Sequence, residues 1–245
     1  SNGGQLTITE AGDKDLEGTF LQDGAGVVST AGDITTTNDD VTFESAVILS
    51  SAVDIDTGSG AGTIAFNDTL DSVANAASTL EITAGTGNID FDCVVGGTGG
   101  GTTSLDAVTI NSATNVTADF AFNAASLRQL AGSGTTTFTG ELTTTAAAGI
   151  EVDGTNVDFN DTVSLTLGNL DVDSTDTVRF NGLVTTSDVA NGLVTISNGG
   201  QLTITEAGDM NLQGAFLQDG AGVVSTAGDI TTTSDDVTFT SATTL

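Results

Sequence analysis

Six stretches of this chain carry one pattern centred on phenylalanine: VTFESAV at Phe43, TIAFNDTL at Phe66, NIDFDCVV at Phe91, TTTFTGEL at Phe138, NVDFNDTV at Phe159 and TVRFNGLV at Phe180. Two residues before the Phe stands Val41, Ile64, Ile89, Thr136, Val157 or Val178, and four after it stands Val47, Leu70, Val95, Leu142, Val163 or Val184. Residues i−2 and i share one face of a strand, so the aliphatic residue and the ring point inward together. The polar or small pair that follows is turn chemistry, and the aliphatic residue at i+4 resumes an inward face. The pattern spells strand, corner, strand.

From Phe20 the Phe spacings are 23, 23, 25, 47, 21 and 21 residues. The 47 reads as two turns, with TSLDAVTINSATNVTADFAF as a coil that lacks a Phe in the expected slot. The 36 residues from Phe180 to Phe216 read as two coils, with Leu202–Ile204 in the first. A recurrence in this range signals a solenoid or propeller, with coils of about 22 residues here. Asn-Gly between apolar residues favours antiparallel hairpins instead, but one corner of the six, Asn181-Gly182, has that form. The expected fold is all-β, a parallel β-solenoid. The complete absence of Pro fits, since each coil's amides can join a ladder. Asp71–Leu80 and Ala124–Gly132 have helix-compatible composition and are read as strand or loop.

A longer period overlies the short one. Residues 1–49 match 197–245 at 41 of 49 positions. The chain is read as one full unit of a continuous solenoid, 1–196, followed by the start of a near-identical unit, 197–245. We expect about nine coils per unit and take the chain as a window on a longer array. Among the differences, Lys14/Met210, Asp15/Asn211 and Glu17/Gln213 alter charge. They are expected at outward positions, with inward residues held constant.

Composition narrows the partners. The formal charge is −30, from 33 acidic groups against Lys14, Arg128 and Arg179. A hydrophobic fraction of 38% and a mean hydropathy of +0.15 are too high for a disordered acidic tail. Binding to nucleic acid or to an anionic membrane needs clusters of Lys and Arg, which are missing. No apolar run approaches the ~18–20 residues of a membrane span, so no membrane insertion is expected. About eleven coils at ~4.8 Å each make a rod of ~50 Å. Its charge then approaches one per ~2 Å, comparable to duplex DNA, so counterions must gather on it. Divalent cations and adjacent copies of the chain are the expected partners.

The phrases ITAGTGNIDF, SLDAVTINSATNV, AGSGTTTFTGEL and GIEVDGTNVDFNDTV resemble repeats of giant bacterial surface proteins, the filamentous-haemagglutinin-like and beta strand repeat types. The resemblance covers most of residues 60–196 and extends more loosely over 1–59. It implies a right-handed parallel β-helix, exported to the cell surface as a long extracellular fibre or adhesin stalk. It carries over no catalytic residues.

Asp54/Asp56 and Asp171/Asp173 each place two carboxylates on one side of a strand in D-x-D spacing, making them the calcium candidates. Neither an EF-hand loop nor the glycine-rich nonapeptide of calcium-binding β-rolls accompanies them. Catalysis is not expected. Polysaccharide-cleaving sites need carboxylates in a groove lined by aromatic rings, and the chain has no His, Tyr or Trp. The Thr runs Ile34–Thr37, Thr135–Phe138, Leu142–Thr145 and Ile230–Thr233 fall on different sides of the Phe slot, which argues against one flat ice-binding array. Cys93 occupies a slot that holds Ser45, Asp68, Gly140, Asp161 and Gly182 elsewhere, so it is expected at a partly exposed corner. The function expected is that of a structural repeat segment in a surface filament. The alternative is an adhesin stalk or matrix-binding module with calcium-dependent contacts.

Overall fold

The computed structural model describes residues 2–76, 78–97 and 104–245. The chain winds through about eleven coils of roughly 21 residues, and every strand pairing is parallel. It is a β-solenoid. Each coil has three short sides. The first face runs through Leu6–Ile8, Val28–Thr30, Val47–Leu49 and Leu70–Ser72, crosses Val95 by isolated bridges, and continues from Phe122 through Leu142–Thr144 to Ile230–Thr232. The second face begins at Lys14–Leu16 and includes Val53–Asp56, Leu80–Thr83, Ile150–Gly154 and Leu170–Ser174. The third carries the Phe pattern, from Phe20–Gln22 to Thr243–Thr244.

Most strands are only three residues long, buried at both ends and open in the middle, as in Val41–Phe43 and Ile64–Phe66. Such a strand needs two inward residues, and the Val/Ile-x-Phe motif supplies them. Phe43, Phe66 and Phe91 stack with centroids 5.2 and 5.5 Å apart and rings within 9° of parallel. Phe138, Phe159 and Phe180 repeat the stack at 5.6 and 5.0 Å. The coil expected to lack a Phe places Ala118 in the slot, beside Phe91. Phe122, from the start of the next coil, turns its ring edge-on between Phe91 (5.4 Å) and Phe138 (6.0 Å) and bridges the two stacks.

Several expectations need correction. Phe20 and Phe216 are first residues of their strands and pair with Val41 and Val237, so they stand in the aliphatic slot. Gln22 and Ile204 occupy the Phe slot beside Phe43 and Phe180. Ala124–Gly132 is strand and loop as expected: it lies largely in an eight-residue strand, Phe122–Gln129, which passes from the first face to the second. Asp71–Leu80 begins and ends in strands around a turn, with residue 77 outside the described residues. Among the described residues the only helical element is the 3-10 turn Glu10–Gly12.

Lys14/Met210 is an inward position. Met210 is fully buried between Val184 and Ile230, and the Lys14 ammonium bends away to donate to the Gly12 carbonyl. Asp15 and Asn211 do point outward. Cys93 is buried, at 6% exposure, because its corner turns this side chain into the core as it does Ser45. Burial, with Asp68 and Asp92 nearby, pushes the thiol up to about 12. Thiol reagents should therefore modify the native protein at least about a hundredfold more slowly than the unfolded chain, as read by absorbance on disulfide exchange. Equal rates would place Cys93 outside the core.

Candidate cation-binding surface

All four calcium candidates lie on the second face. Asp54 and Asp56 belong to Val53–Asp56, where Val53 and Ile55 point inward and the two carboxylates outward. Asp171 and Asp173 alternate in the same way with Leu170, Val172 and Ser174. The two pairs sit five rungs apart on this face, roughly 24 Å at the usual strand spacing. They form two separate clusters.

Parallel register adds further acids to each. Asp54 stands beside Glu81, and Asp33 Oδ1 accepts the Asp54 N–H at 2.8 Å. Asp171 stands beside Glu151, and Asp173 beside Asp153, so four carboxylates make a two-by-two patch. Arg128 is the next residue along this rung line and binds Glu151 in a fork, at 2.8 and 3.2 Å. Glu81 accepts a 2.8 Å hydrogen bond from Asn111 Nδ2, and Asp56 Oδ1 accepts the Gly58 N–H at 2.6 Å. These partners lie 20 to 30 residues away in most cases, so local spacing could not have revealed them.

Crowding like charges raises the cost of ionisation. Partial burial, then Glu81, Asp56 and Asp33, push Asp54 up to about 6. Burial comes first for Asp171 as well, followed by Asp173, Glu151 and Asp219, and its carboxyl is raised. Asp153 is raised by burial, Glu151, Asp173 and Asp171 against an opposing pull from Arg128. The sign for stability follows. A carboxyl that is a weaker acid in the folded state binds its proton more tightly there, so folding gains stability as pH falls through about 6 toward ~4. We expect a higher Tm at pH 5 than at pH 7 at fixed ionic strength. Asp54→Asn should raise the Tm at pH 7 and flatten this dependence. A Tm that falls between pH 7 and pH 5 would contradict the assignment.

The carboxylates stand side by side and do not converge. Outward side chains on stacked rungs are parallel and ~4.8 Å apart, whereas a calcium cage directs six to eight oxygens at one point. Among the described residues no group of three or more His, Cys, Asp or Glu side chains is arranged to hold a metal ion. A shallow groove lined by Gly132, Asp153, Gly154, Thr155, Asp173 and Ser197 runs beside the four-acid patch. This surface can gather cations and protons along its length.

The chain matches no family model, no curated protein and no solved structure.

A second acidic line follows the corner between the third and first faces. Asp23, Glu44, Asp68, Asp92, Asp119, Glu141 and Asp161 supply one exposed carboxylate at each of seven consecutive corners. Four of them, Glu44, Asp68, Asp92 and Asp161, are polar-pair positions of the Phe pattern. The Thr runs add no flat array: Thr35 is exposed while Thr36 turns inward, and Thr136 and Thr144 are buried. The runs also fall on different faces: Ile34–Thr36 on the second, Thr135–Phe138 on the third, and Leu142–Thr144 and Ile230–Thr232 four rungs apart on the first.

Proposed function

We propose that the chain is a structural repeat segment of a long extracellular fibre or surface filament, an acidic rod that lengthens by stacking unit on unit. The observation that carries this reading is the seamless junction between units. Val178 pairs with Leu202, Val184 with Met210 and Val194 with Phe216, in the same parallel register as any two coils within the unit. Phe216 and Met210 are fully buried there, so the core continues across the junction. A unit that ends in a ladder matched to the next unit's first strands is built to be continued. The resemblance to surface-protein repeats points the same way. The role is mechanical and requires no catalytic group.

Electron microscopy of native material tests the reading. Fibres of uniform width support it; discrete short particles would overturn it. A second reading, an adhesin stalk with calcium-dependent contacts, is favoured by the four-acid patch at Glu151, Asp153, Asp171 and Asp173. Melting with and without EDTA separates the two, since a specifically bound ion stabilises the folded state by mass action.

A further inference from the structure

The two copies of the 49-residue phrase occupy different sides of the rod. Leu6–Ile8 lies on the first face and its counterpart Leu202–Ile204 on the third. Lys14–Leu16 lies on the second and Met210–Leu212 on the first, while Phe20–Gln22 lies on the third and Phe216–Gln218 on the second. Val28–Thr30 and Val224–Thr226 continue the same shift. Leu202–Ile204 stands eight coils and two faces beyond Leu6–Ile8, so 196 residues wind through eight and two-thirds coils, short of the nine expected.

Local structure survives the move. Gln22 Nε2 donates to Asn2 Oδ1 at 2.8 Å, and Gln218 Nε2 donates to Asn198 Oδ1 at 2.8 Å. Ser45 Oγ donates to the Gly26 carbonyl at 2.7 Å, and Ser241 Oγ to that of Gly222 at 2.6 Å. Asn38 and its counterpart Ser234 both adopt positive φ, 63° and 69°. Corners are set by the residues within and directly beneath them, and each face asks only for two inward side chains per strand. Nothing in the phrase specifies which face receives it.

We propose, building on the stacked-unit reading, that successive 196-residue units are turned by one face. Every surface feature of a unit then recurs on all three sides of the rod, about 42 Å apart along the axis, and returns to the same side after about 125 Å. The acidic patch of the second face passes to the first face in the next unit and to the third in the one after. A rod of such units offers its interaction surface to neighbouring copies on three sides.

Paired cysteines test the winding in the chain itself, in a Cys93→Ser background. Outward residues on adjacent rungs lie within the Cα separation that a disulfide spans. Asp90→Cys/Thr117→Cys and Thr117→Cys/Thr137→Cys span the coil without a Phe in its slot, and Arg179→Cys/Thr203→Cys spans the junction. All three pairs should close almost completely on mild oxidation, by intact mass. Thr185→Cys/Thr203→Cys should stay open, because Thr185 faces Asn211. Closure of that pair with Arg179→Cys/Thr203→Cys open would mean a unit of whole coils and would overturn the proposal, as would failure of either of the other pairs. Circular dichroism of each variant confirms the fold. The outcome is independent of whether fibres form, so it is separable from the microscopy.

Discussion

Phe91→Ala is expected to destabilise the solenoid by about 3–5 kcal/mol, the range for removing a fully buried ring. Phe91 has no exposed surface, lies 5.5 Å from Phe66 in a parallel stack and meets Phe122 edge-on at 5.4 Å. The hole cannot close by collapse. Ile89 and Phe91 are held in register with Ile64 and Phe66 below and with Val116 and Ala118 above, and these ladders fix the rung spacing. Ala118 already leaves its slot to the borrowed ring of Phe122, so this part of the core has no second ring to lend. The control is Phe120→Ala: that ring is 53% exposed, and its loss should cost under about 0.5 kcal/mol. Urea unfolding of the two variants against the parent chain reads the difference. Equal midpoints would mean that the Phe stack does not hold the coils together.

The second large effect is expected at a glycine. Gly222→Val should destabilise by about 3 kcal/mol or more, beyond ordinary overpacking of a core. A Cβ there would lie 1.6 Å from the Gly200 carbonyl oxygen and 2.7 Å from Asn198 Nδ2. Those atoms are already committed. Gly222 N–H donates to the Asn198 carbonyl at 2.8 Å, Asn198 Nδ2 donates to the Gly200 carbonyl at 2.7 Å, and Ser241 Oγ donates to the Gly222 carbonyl. Backbone must move on two adjacent coils, and the buried amides of Asn198 and Gln218 lose partners, which is costly away from water. Gly18→Ala, where a Cβ would meet nothing within 4 Å, should shift the midpoint little. A Gly222→Val variant as stable as Gly18→Ala would show that the corners are not in close contact.

The contrast between these two sites tracks what could be read in advance. Phe and aliphatic residues two apart give strand direction and facing by simple alternation, and for that reason the six Phe corners appear where expected. Corners without turn residues were invisible. The chain rounds one inside Phe122–Gln129 on Ala125 and Ser126, with no Gly or Asn-Gly to mark it. Cys93 was misplaced because its slot holds Asp or Gly in other coils, whereas Ser45 was the better guide. Of the candidate surface, the exposed D-x-D pairs followed from alternation. Glu81, Glu151 and Asp153 joined them only through register. The face assignment of each strand depends on the running total of coil lengths, which no local pattern records.

The interchangeability of the three faces has a consequence for how such a rod can grow in evolution. A duplicated stretch of gene need not encode a whole number of turns to be accepted. It needs only to begin and end at equivalent points of one strand-and-corner element, because any side of the tube takes the incoming strand equally well. Lengthening by recombination therefore has about three acceptable joints per turn, and a copy landing on a new side still finds neighbours that fit.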